Sequence, residues 1–87
     1  MKLRAPRHKV LIRARMRISA GWNDACILNI SERGFMAVAD GRFEVGARVW
    51  LMLPGRERAN AVVKWTAGAK LGAEFAEPIS VEGLSAD

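Results

Sequence analysis

The chain has 87 residues, of which 51% are hydrophobic and 26% charged, a composition that fits one small globular domain and excludes a disordered chain. Its single cysteine, Cys26, excludes an internal disulfide and fits a reducing compartment. The net charge of +5 is unevenly placed: residues 1–19 carry seven basic groups and no acid, the remainder seven basic and nine acidic, so an anionic partner is expected near the N-terminus.

The opening MKLRAPRHK is charged and holds Pro6, which discourages a helix; it lacks the apolar run of a signal peptide. No stretch approaches the roughly 18–20 apolar residues of a membrane span, so the expectation is a soluble, cytoplasmic protein without membrane insertion. From Lys9 to Ile18 the pattern has period two. Val10, Ile12, Ala14, Met16 and Ile18 share one face, and Leu11, Arg13, Arg15 and Arg17 the other, which predicts an amphipathic strand with a basic outer side. Gly21-Trp22-Asn23-Asp24 reads as a turn and 25–30 as a second strand. Ser31-Glu32-Arg33-Gly34 makes a tight turn into a strand over Phe35–Ala39, ended by Asp40-Gly41. Arg48–Leu53 is a fourth strand, followed by a Pro54-Gly55 turn. Residues 58–66 are a fifth, with Ala59, Ala61, Val63 and Trp65 on one face, and Lys70–Ala76 a sixth. After Pro78 the tail ISVEGLSAD has room for one short helical turn.

Six short strands at spacings of about 8–12 residues, with no helical segment between them, predict an all-β fold. A small six-stranded antiparallel β-barrel leaves no exposed sheet edge in so short a chain.

Residue types for catalysis and metal binding are sparse. The one histidine, His8, sits in the basic arm, and Cys26 in mid-strand reads as a buried small hydrophobe. The acids scatter through turns, and one His with one Cys cannot fill a tetrahedral metal site. No Walker loop or dinucleotide-binding glycine pattern is present, so an enzyme is not expected. Three features remain. Arg4 and Arg7 carry guanidinium forks suited to phosphate, in an arm that equally reads as a solvated basic tail. Asn29 and Ser31 present an amide and a hydroxyl beside Gly34, which can take positive φ and let a backbone approach a ligand; the same residues serve as ordinary turn caps. Of the tryptophans, Trp65 is expected in the core and Trp50 on the outer face or an interface, rather than stacked on a base.

The arm, the strand after it and Asn29-x-Ser31-x-x-Gly34 at the end of the second strand together resemble the PilZ domain, whose marks are an RxxxR arm and a (D/N)xSxxG turn. The segments Val45–Leu51, Leu53-Pro54-Gly55, Ala61–Trp65 and Gly72–Phe75 are similar to that domain's later strands, so the resemblance spans roughly residues 4–80. It implies a flexible basic arm over 1–9, a barrel over 10–78 and a tail over 79–87. It also implies cyclic di-GMP as the ligand, held by Arg4, Arg7, His8, Asn29, Ser31 and Gly34, with the signal passed on by contact with a protein effector. The turn motif matches in full. In the arm, Arg4 has His8 four residues later, where the family has arginine. An adaptor that contacts proteins without nucleotide is therefore the alternative. A barrel that binds DNA or RNA through Arg13, Arg15 and Arg17 is not expected, because that strand face carries no aromatic.

Overall fold

The computed structural model describes residues 8–18, 21–39 and 41–82. Six strands are present: β1 His8–Ile18, β2 Gly21–Ile30, β3 Gly34–Ala39, β4 Arg48–Met52, β5 Ala59–Ala67 and β6 Lys70–Phe75. They close into a barrel in the order β1-β2-β3-β6-β5-β4, with every neighbouring pair antiparallel. The expected all-β antiparallel barrel is the observed one.

Alternation explains most of it. Ala14 and Met16 point inward from β1, while Leu11, Arg13, Arg15 and Arg17 point outward. The interior is filled by Met16, Ile27, Ile30, Leu51 and Leu71, interleaved with small residues such as Ala25, Ala37 and Ala61. A narrow barrel needs this mixture of sizes, and each large aliphatic side chain withdrawn from water contributes about 1.5–3 kcal/mol. Near the motif turn the core is capped by Phe35 and Phe75, whose ring centroids lie 5.4 Å apart at 41°.

Two expectations about local structure are corrected. Gly21–Asp24 is not a turn but the first part of β2, with Trp22 opposite Arg17 and Asp24 opposite Arg15. Pairing along β1, with an ion pair of 3.4 Å between Arg15 and Asp24, overrides the turn preference of Gly, Asn and Asp. The tail forms no helix among the described residues. Instead Ile79 and Val81 pack half-buried against the core, and the Ile79 amide donates to the Glu32 carbonyl at 2.9 Å. Arg56 clamps this segment by donating to the Ser80 and Glu82 carbonyls. The tail thus crosses the same barrel end as the turn between β2 and β3, and β1 enters from that end.

Candidate functional site

The turn after β2 is built by Ser31. Its amide donates to the Gly34 carbonyl at 2.8 Å, and its hydroxyl accepts the Arg33 and Gly34 amides at 3.2 and 3.3 Å. Ser31 is only 5% exposed, so this hydroxyl works on the turn. Gly34 is not among the glycines with positive φ. A Cβ there would lie 2.4 Å from the Ala73 carbonyl oxygen of β6, so the turn needs glycine to let two backbones approach. The expectation of a positive φ is replaced by that packing reason. Arg33 and Glu32 project exposed from the turn.

Asn29 reaches the surface through an interrupted alternation. The β2–β3 ladder steps from Ile27 opposite Ala37 to Asn29 opposite Met36, so β2 carries one extra residue, Leu28. Without that bulge, Asn29 would follow Ile27 inward and Ile30 would face water. With it, Ile30 is buried and Asn29 is half-exposed beside Met36.

β5 does the same thing. Its ladder with β6 steps from Val63 opposite Ala73 to Trp65 opposite Gly72, which makes Lys64 the extra residue. Trp65, expected in the core with Val63, is turned outward and is 38% exposed. Its indole lies across Gly72, where a Cβ would sit 2.1 Å from Nε1. An aromatic ring covering a cross-strand glycine is a known way of rescuing a glycine in a sheet.

The two bulges put Asn29, Met36, Gly72 and Trp65 into one row across β2, β3, β6 and β5 on the barrel's outer side. Lys9 continues the row on β1, opposite Asn29. With strands about 4.8 Å apart, the amide and the indole are separated by roughly 14 Å. Beside the row a cavity of about 370 Å³ is lined by Arg33, Lys64, Glu74 and Phe75 among others. Lys64 and Glu74 form an exposed ion pair there at 3.4 Å. Trp65 is the site residue that sequence reasoning missed. Its signals were the adjacent apolar pair Val62-Val63, which already breaks strict alternation, and the lone glycine in β6.

Among the remaining candidates, Arg4 and Arg7 lie outside the described residues. His8 begins β1 opposite Ile30. Cys26, expected to be buried, faces outward and is half-buried, because its neighbours Ala25 and Ile27 hold the inward positions. Trp50 is 40% exposed, as expected, with the Arg58 guanidinium 5.5 Å above its ring. Among the described residues no group of three or more His, Cys, Asp or Glu could hold a metal ion, and no helix is long and apolar enough to cross a membrane.

The sequence profile of the PilZ domain matches residues 2–86. The chain belongs to the PilZ family. No curated protein matches it. PilZ domains are generally associated with cyclic di-GMP binding and act as binding and adaptor modules. In this PilZ domain the Asn-x-Ser-x-x-Gly motif is divided by role: Asn29 faces the surface, Ser31 holds the turn, and Gly34 admits the backbone of β6.

Proposed function

We propose that this PilZ domain binds cyclic di-GMP on the outer row running from Asn29 to Trp65 and signals by contact with a protein partner. The observation that carries the reading is the placement of an outward amide and an exposed indole in one row by two separate bulges. An indole face stacks a purine, worth about 1–3 kcal/mol per base, and an amide at the other end of the row hydrogen-bonds a base edge or a phosphate of the same ligand. Arg33 and Lys64 flank the row as cations for phosphate. In this reading Arg4 and Arg7, just before the start of β1, supply the remaining charge, and His8 at its start adds a ring nitrogen for hydrogen bonding. Gly34 contributes through the turn that aims Asn29 and Arg33. The ligand itself is the only cofactor-like molecule the reading requires.

The adaptor alternative, contact with a protein partner and no nucleotide, is favoured by one observation: the Ser31 hydroxyl is buried and already engaged within its own turn. Titration calorimetry with cyclic di-GMP decides between them. The proposal expects saturable heat for the native chain and at least a tenfold weaker affinity for Asn29→Ala. Absence of heat from the native chain at tens of micromolar ligand, with partner binding intact, establishes the adaptor.

A further inference from the structure

The barrel is closed by very little. Among the described residues β4 pairs with β1 at three positions, Arg15 with Met52, Met16 with Leu51 and Arg17 with Trp50. Continued by one more outward position, the ladder would bring Pro54 opposite Arg13. Proline has no amide hydrogen to offer, and Pro54-Gly55 turns the chain away, with Gly55 at φ 72° and the Arg56 amide donating back to the Leu53 carbonyl at 3.1 Å. Below Arg15, among the described residues, β1 has no β4 neighbour; on its β2 side it is paired from Ile12 to Ala14, and the ladder shifts register between Lys9 and Ile12. A seam opens there. It continues into a groove of about 1,090 Å³ bounded by Arg13, Arg15, Cys26, Val38, Met52 and the Pro54–Glu57 turn.

The seam has the chemistry of a strand-addition site. A strand edge without a neighbour offers alternate amide and carbonyl groups to an extended peptide. Beside it the groove is lined by Ala14 and Leu53 on the inner side and by exposed Met52 on the outer, and the free stretch of β1 carries Leu11, which is 73% exposed. The charges are one-sided. Arg13, Arg15 and Arg17 project from β1 and Arg58 stands over Trp50, while Asp24 is already paired with Arg15. Glu57 is the other acid on the groove wall.

We propose that the free edge of β1 between Leu11 and Ala14 receives an extended, acidic segment of a partner protein as an added strand. Its main chain pairs with β1, its acidic side chains meet Arg13 and Arg15 on the outer face, and its alternate apolar side chains turn to the inner face, towards Ala14 and Leu53. This gives the partner contact in the proposed function its surface. The seam is separate from the Asn29–Trp65 row and its test needs no nucleotide, so failure of one reading leaves the other standing.

Fluorescence anisotropy with a synthetic ten-residue peptide that alternates glutamate and valine tests it. The expected result is saturable binding, weakened at least tenfold by Arg13→Glu combined with Arg15→Glu, both exposed positions, in a variant whose circular dichroism is unchanged. Two further peptides carry N-methyl groups on alternate amides, one on each parity. Strand addition uses one edge of the peptide, so one series must lose binding at least tenfold and the other must keep it within about threefold. Equal behaviour of the two methylated series overturns strand addition. So does tighter binding of a single-stranded oligonucleotide than of the peptide. No binding of any peptide overturns the proposal and leaves the arginines as charges that protect an open strand edge from self-association.

Discussion

The outer surface over β2, β3, β6 and β5 is made by breaking alternation; the outer surface over β4 and over β1 from Ile12 onward is made by keeping it. On the first, Leu28 and Lys64 are extra residues, and each reverses the parity of the strand beyond it, so that Asn29 and Trp65 come out while Ile30 goes in. On the second, β1 above Ile12 simply alternates core residues with arginines, and β4 alternates Val49 and Leu51 with Trp50 and Met52. The difference teaches that a regular strand in a small barrel advertises its outer face in the sequence, whereas a bulged strand hides it. The candidate ligand row is on the hidden side.

Substitutions can break this contrast, and the largest effect is expected at the glycine that fits backbone to backbone. Gly34→Ala places a Cβ 2.4 Å from the Ala73 carbonyl oxygen, which is held in the ladder and cannot rotate away. We expect a loss of about 2–3 kcal/mol in urea unfolding, with the m-value unchanged. Gly72→Ala meets the Trp65 indole at an even shorter distance, but a half-exposed side chain can swing aside. Its stability cost should be smaller, about 1 kcal/mol, accompanied by a shift in tryptophan emission that Gly34→Ala does not produce. If the two glycines cost the same, the indole is as fixed as backbone and the row is a structural cover, not a movable platform.

Ser31→Ala sharpens the role of the turn. It removes the acceptor for the Arg33 and Gly34 amides and should cost about 1 kcal/mol in thermal or urea unfolding. A stability change within error would show that the turn does not depend on its hydroxyl. The smallest effect belongs to the surface ion pairs. Asp24→Ala removes the partner of Arg15, and Lys64→Ala that of Glu74; each should change stability by less than about 0.5 kcal/mol, because all four side chains are more than half exposed. Lys64→Ala should nevertheless weaken cyclic di-GMP binding in calorimetry, which separates its flanking role from its stabilising one.

The same contrast explains what was legible in the sequence. The arginine face of β1, the buried run of β4 and the motif turn could be read directly, because period two holds there and Gly, Pro, Asn and Ser mark the reversals. Trp65 could not, since parity counted from Ala61 and Val63 places it inside, and only the ladder with β6 shows that Lys64 is an extra residue. Gly21–Asp24 reads as a turn in the sequence because its residue types favour reversals, and the cross-strand partners that hold it in β2 come from β1. The free edge of β1 was equally hidden. It depends on where Pro54 would meet Arg13, a relation between residues far apart in the chain.

The chain has three tryptophans, and they report on both surfaces at once: Trp65 on the bulged row, Trp50 on the regular face, and Trp22 on β2 opposite Arg17. The most direct test is to follow the three indole N–H resonances of the isotope-labelled protein while cyclic di-GMP is added. The account predicts that the Trp65 resonance moves and saturates while that of Trp50 stays in place. Movement of Trp50 with Trp65 unmoved, or no movement of any of the three, would contradict it.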